Sequence, residues 1–261
     1  MTPETVKEIE ALAIRANASV GSYDEADCEP YAILPEGHRL ESLQQLLPEP
    51  ARITRKLVMA DADSFSTYVD AWKHEHSELT ASQDRLVIEC TLDGHAKTKP
   101  SWCAHTVQYP CPLSREWKSW ISNDRKRMTQ LEFAEFLEDH VNDVVEPMGA
   151  ELLSLANQLQ IIRKATFGST QRLASGEVSF QYTNENETGT VEIPERITLG
   201  IPVFHGGGPY AVNARMKYRL REAELQLWFE LIEPEKYLED AFNEVVAQIE
   251  GSTDLNAYRI A

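Results

Sequence analysis

Four cations stand at alternate positions in Arg215-Met-Lys217-Tyr-Arg219-Leu-Arg221. On a β-strand the side chains at i and i+2 share a face, so this spacing lines the cations up opposite an apolar row of Met216, Tyr218 and Leu220. A turn centred on Glu222–Ala223 sets Arg221 against Glu224, Arg219 against Gln226, Lys217 against Trp228 and Arg215 against Glu230. The same register sets Leu220, Tyr218 and Met216 against Leu225, Leu227 and Phe229, so both faces agree. A surface of this kind suits single-stranded nucleic acid, with Trp228 as a stacking platform. The simpler reading is a solvated ion-pair face or a subunit contact, because residues 213–233 hold four cations and four anions.

A second cationic cluster is Arg115, Lys118, Arg125, Lys126 and Arg127, interleaved with Trp117 and Trp120. Aromatics among cations suit phosphates and bases. Tryptophans at i and i+3 also anchor a helix to a core, and that is the plainer role here. The segment that follows opposes it in sign: Thr129 to Glu151 carries seven acids and no Lys or Arg. Neighbouring surfaces of opposite sign are a physical reason to expect self-association.

Metal ligation is a weaker possibility. Cys90, His95, Cys103, His105 and Cys111 fall within 22 residues, and Cys103 and His105 alternate as if on one strand face. The paired C-x-x-C spacing of a structural zinc site is missing, so buried thiols and a hydrogen-bonded imidazole explain them more cheaply. His74-Glu75-His76 lacks the i, i+4 histidines of a zinc helix, and Gly206-Gly-Gly-Pro209 lacks the Lys-Ser/Thr of a phosphate loop. No nucleophile elbow or dinucleotide fingerprint occurs. The expectation is a protein without cofactor or catalytic residues.

These residues sit in 261 positions, of which 42% are hydrophobic and 26% charged, an ordinary globular balance. The net charge of −17 repels phosphate backbones and anionic membranes unless positive charge is locally concentrated. No apolar run reaches the roughly 20 residues that span a bilayer. Four scattered cysteines do not make a secreted disulfide scaffold, and the acidic, amphipathic N-terminus does not read as a signal peptide. A cytoplasmic protein is expected.

The elements that must position the candidates follow from periodicity and caps. Residues 1–50 read as an N-terminal arm with helices, the second of them at Leu40–Leu47 after a loop over 21–36. A strand lies near Ile53–Met59, and Asp63 caps a helix ending near His76. Residues 85–92 and 102–109 form a long β-hairpin. Ser114 caps a short helix, and the capping box Thr129-Gln-Leu-Glu132 opens a helix to about Val145, followed after Pro147 by another from Gly149 to Lys164. The period then switches to two: Thr166–Leu173, Glu177–Tyr182, Thr190–Ile193, Arg196–Phe204, Tyr210–Arg221 and Glu224–Ile232 read as antiparallel strands. Pro234 starts a closing helix through Ile249, and 251–261 is a tail. The class is α+β, with a main domain over 51–250.

Several stretches resemble the YfdQ-like family of phages and prophages, a family of unknown function. They are Trp102-Cys-Ala-His105, Pro112-Leu-Ser-Arg-Glu-Trp117, Met128-Thr-Gln-Leu-Glu-Phe-Ala-Glu-Phe-Leu-Glu-Asp139, Arg172-Leu-Ala-Ser-Gly176, Ile201-Pro-Val-Phe204 and Leu231-Ile-Glu-Pro234. The resemblance spans roughly residues 30–250 and implies a phage early-region protein, without supplying a reaction or catalytic residues. The leading expectation is a non-catalytic protein acting by homo-oligomeric assembly and binding, in the bacterial host's cytoplasm. Alternatives are an accessory nucleic-acid-binding protein of a phage recombination module, a partner of a host or phage DNA-metabolism protein, an acidic decoy of a host DNA-binding protein, and a shell-like self-assembling protein. The last rests on an element order that resembles the tailed-phage capsid fold.

Overall fold

A computed structural model describes residues 4–9, 12, 47–50, 52–161, 166–172, 178–183, 188–221 and 224–261. The chain divides into two units, Met1–Ile53 and Thr54–Ala261. In the first, residues 4–9 are helical and exposed. The loop expected over 21–36 and nearly all of the helix expected at Leu40–Leu47 lie outside the described residues.

Among the described residues the second unit holds three sheets. The first has the order β1-β4-β3-β2-β13, from Arg55–Val58 (β1), Glu78–Ser82 (β2), Val87–Thr91 (β3), His105–Tyr109 (β4) and Ala257–Ile260 (β13). The expected hairpin is its centre, with Ile88 opposite Tyr109 and Thr91 opposite Thr106. β1 joins β4 and β13 joins β2, both in parallel. Residues 251–261 are therefore not a tail, because they complete the closing helix and supply an edge strand. Helix α1 (Ala62–Trp72) is capped by Asp61, whose carboxylate accepts from the Ser64 amide, and not by Asp63, which sits in the first turn. It ends at Trp72, four residues before the expected His76.

The second sheet is antiparallel, β5-β12-β11-β10-β6, from Met128–Thr129 (β5), Val144–Glu146 (β6), Arg196–Pro202 (β10), Pro209–Arg221 (β11) and Glu224–Leu231 (β12). Its inward row is apolar throughout: Ile197, Leu199, Ile201, Val212, Ala214, Met216, Leu225, Leu227, Phe229 and Leu231 are all buried. Helices α2 (Arg115–Asn123) and α3 (Gln130–Asp139) cover this row. Trp120 of α2 and Phe136 of α3 both meet Phe229, at ring-centroid distances of 4.8 and 5.5 Å. The two caps read from sequence are present: Ser114 accepts from the Trp117 amide, and Thr129 and Glu132 close a reciprocal capping box.

Helix α3 stops at Asp139 instead of Val145. His140 folds its imidazole back onto the Phe136 carbonyl, ending the helix, and the β-branched Val144 and Val145 are drawn into β6, where Val144 pairs with Leu199. Gly200 permits this close edge, since a Cβ there would stand 2.8 Å from a Val145 methyl. Helix α4 (Gly149–Ile161) follows, burying Leu152, Leu155 and Leu159, and the expected end at Lys164 lies outside the described residues. The six strands expected as one run are partitioned: Thr166–Arg172 (β7), Val178–Thr183 (β8) and Thr188–Ile193 (β9) make a separate three-stranded antiparallel sheet. Helix α5 (Pro234–Thr253) closes the fold, burying Phe242, Val246 and Ile249.

Truncating Phe229 removes a fully buried ring and undoes both aromatic contacts. Phe229→Ala should lower unfolding stability by about 3–5 kcal/mol in a urea titration, whereas a loss below about 1 kcal/mol would show that the helices do not hold the sheet through this ring.

Candidate nucleic-acid interface

The outward row of the second sheet is built by the alternation that buries its inward row. The register pairs Arg221 with Glu224, Arg219 with Gln226, Lys217 with Trp228 and Arg215 with Glu230, as the sequence pattern requires. β10 adds Arg196 directly opposite Arg215. On the other side β5 pairs Thr129 with Gln226, and Met128 is buried opposite Leu227. This brings the exposed Arg127 to the sheet, its guanidinium lying 5.4 Å above the Trp228 ring. Arg127 of the second cationic cluster thus joins the first on one face.

Charge pairing on this face is not what cross-strand proximity suggests. Glu230 takes the indole N–H of Trp228 at 3.2 Å. Among the described residues, Arg196, Arg215, Lys217 and Arg219 form no ion pair. The expected Arg215–Glu230 pair is therefore a register neighbour and not a salt bridge. The cations are left for solvent or for a ligand.

Other candidates lie elsewhere. Arg115 and Lys118 are exposed on α2, the helix packed beneath the sheet, while Trp117 and Trp120 of the same helix are core. Lys126 is exposed and reaches the side chain of Asn123. Arg125 has a left-handed backbone (φ 58°), and its side chain lines a cleft with Arg215, Glu230, Leu231, Ile232 and Glu233.

The Cys/His region does not converge. Cys90 and Cys111 are buried thiols, each pushed up to about 12, chiefly by burial. Cys103 does not share a strand face with His105, because the backbone turns left-handed at Cys103 (φ 49°). The Asp93 carboxylate takes the next two amides, Ala104 and His105, at 2.8 Å each, which fixes the turn. His95 lies 3.4 Å from the Cys103 sulfur through Nε2, while its Nδ1 accepts from the Ser101 amide. That bond leaves the proton on Nε2, so the neutral ring presents Cys103 with a donor and not a lone pair for a metal. His105 is buried, with its Nε2 and the Tyr68 hydroxyl 2.8 Å apart. Among the described residues no three His, Cys, Asp or Glu side chains gather around a common point.

Two features escaped the sequence reading. Arg196 heads an alternating strand, but its place beside Arg215 depends on which strand neighbours β11. The Ser119 hydroxyl and His140 Nε2 lie 2.7 Å apart, and His140 Nδ1 donates to the Phe136 carbonyl. Stacked on Phe136, this ring ties α2 to the end of α3. No sequence spacing marks a pair 21 residues apart on two helices.

The molecule is an α+β protein that presents an open cationic sheet face over an apolar underside. The family model described as Uncharacterized conserved protein (DUF2303) matches residues 3–259, and the chain belongs to that family. No curated protein and no solved structure matches the chain. Among the described residues no helix is long and apolar enough to cross a membrane.

Burial lowers the His105 pKa below its ordinary 6.5; Arg55 adds to this and Asp93 opposes it. Below that value the unfolded chain binds a proton that the folded chain refuses, so stability falls as pH drops beneath about 6.5. Urea midpoints measured from pH 7.5 to 5 should decline, and His105→Gln should flatten the decline. Equal slopes in the two proteins would remove His105 as its source.

Proposed function

We propose that the chain is a binding protein whose cationic sheet face takes single-stranded nucleic acid. One observation carries the reading: Arg127, Arg196, Arg215, Lys217 and Arg219 share the face of Trp228, and Glu230, the carboxylate opposite Arg215, is engaged by the indole. Alternate residues on a strand stand about 6.7 Å apart, so Arg215 to Arg219 spans roughly 13 Å, enough to follow successive phosphates of an extended strand. Arg127 over Trp228 supplies a guanidinium layer on which bases stack. A flat sheet face offers single strands this contact but does not enter the groove of a duplex. The resemblance to YfdQ-like phage and prophage proteins supports a setting in phage recombination, where single strands are exposed.

A second reading is self-assembly. Helix α3 turns Glu135, Glu138 and Asp139 to solvent, a surface of opposite sign that a second copy could present to the cationic face.

One triple variant separates the two. Arg215→Glu, Lys217→Glu and Arg219→Glu leave the apolar row intact and put a carboxylate opposite Glu230, at a cost on the order of 0.2–1 kcal/mol. The variant should stay folded by circular dichroism, keep its solution mass, and lose oligonucleotide binding measured by anisotropy. The wild type should show a slope of log affinity against log salt of about −3.5, from five cations on a single strand. A variant that dissociates, with a wild type blind to oligonucleotide, would establish the subunit contact instead.

A further inference from the structure

The cationic track has a closed end. After Arg215 the outward row of β11 continues with the uncharged Asn213 and Ala211, and β12 gives way at Ile232 to Glu233 and α5. At that end lies a cleft of about 280 Å³ lined by Arg125, Arg215, Glu230, Leu231, Ile232 and Glu233. Its walls are fixed by backbone. Arg125 donates its amide to the Phe229 carbonyl at 2.9 Å, and the Asp124 carboxylate accepts the Leu231 amide at 2.8 Å, pinning the left-handed corner at Arg125 against β12. Glu233 is also left-handed (φ 51°), and although it stands at the N-cap of α5, its side chain makes no capping bond. Glu233 is one of the residues that line the cleft.

The cleft therefore brings two arginines together with two glutamates, and the Arg125 Nε also lies 3.6 Å from the Asp124 carboxylate, which orients its guanidinium. Guanidinium groups take phosphate oxygens in a bidentate fork, and a Glu carboxylate accepts from the exocyclic amine of cytosine. The carboxylates also reject a chain that would run on through the cleft, since each further phosphate would face Glu233. We infer that the Arg125–Arg215 cleft is an end subsite: it receives the terminal, phosphate-bearing nucleotide of a single strand whose body lies along β11. This rests on the nucleic-acid reading above and adds to it a preference for strand ends, with an amino-bearing base in the cleft.

The test compares a linear deoxycytidine strand of roughly 20 nucleotides, carrying a phosphate at one end or the other, with a covalently closed circle of the same length and base. The full chain should bind one of the linear strands about tenfold more tightly than the circle. Arg125→Ala should bring that ratio to about one, and Glu233→Gln should reduce it when cytosine is terminal but not when thymine is. If linear and circular strands bind equally, the end subsite is wrong and the track stands. If the wild type binds neither, both readings fall. If the ratio survives Arg125→Ala, the preference arises elsewhere and the cleft is not its source.

Discussion

The second sheet has two faces of opposite character, and the burial of Phe229 decides which is which. Its ring sits between Trp120 and Phe136, which bring α2 and α3 under the sheet. Because successive strand residues point to opposite sides, burying Phe229 forces Trp228 and Glu230 outward, and pairing carries the choice to β11, where Met216 goes in and Arg215 and Lys217 come out. β10 follows through β11, so Ile197 is buried and Arg196 is not. A slip of one residue would bury the cations without partners, at a cost no aromatic contact could offset. The apolar core and the cationic face are one decision.

That decision leaves Arg196 beside Arg215, two like charges in adjacent strands. Such neighbours destabilise a sheet slightly, and the usual relief is an opposed carboxylate. Glu230 stands at the right register for it but accepts from the Trp228 indole instead. Among the described residues, therefore, nothing pairs with the charge of these arginines. On the proposed reading, a phosphate arriving there would meet little prior pairing to break and would relieve a repulsion between the two arginines.

The β11–β12 hairpin was legible because two independent patterns, cationic and apolar, accept only one register. The caps at Ser114 and Thr129 were legible for a similar reason, since each is a local bond between residues three apart. What was hidden is non-local. β13 reads as a tail because four residues such as Ala257–Ile260 declare themselves a strand only beside β2. Helix α3 reads six residues too long because Val144 and Val145 fit an apolar helical face as well as a strand, and only the free edge of β10 decides between them. The site followed the same rule: Arg215, Lys217 and Arg219 were visible within one strand, whereas Arg127 and Arg196 join them through strands remote in sequence. Cys103 and His105 failed in the opposite direction, since alternation assumes an extended backbone and Cys103 is left-handed.

Net charge was the composition's argument against a phosphate partner, and the layered fold limits its reach. Glu132 is held at the sheet edge by Thr129, whereas Glu135, Glu138 and Asp139 of α3 are exposed, away from the core that joins this helix to the sheet. Packed layers stand about 10 Å apart, so those carboxylates lie a full layer, and the width of a helix besides, from the cationic row. Screening at physiological ionic strength has a length of about 8 Å, and charges separated by more than that interact weakly through solvent. The whole-chain −17 acts on an approaching polyanion at a distance and at low salt. At contact the local field is set by the outward row itself, where Arg127, Arg196, Arg215, Lys217 and Arg219 share a face with Glu230, the Arg221–Glu224 register pair and Glu146 opposite Thr198. Segregating charge by layer lets an acidic protein carry a cationic face, and it makes the sum of charges a poor guide to the sign that a ligand would meet.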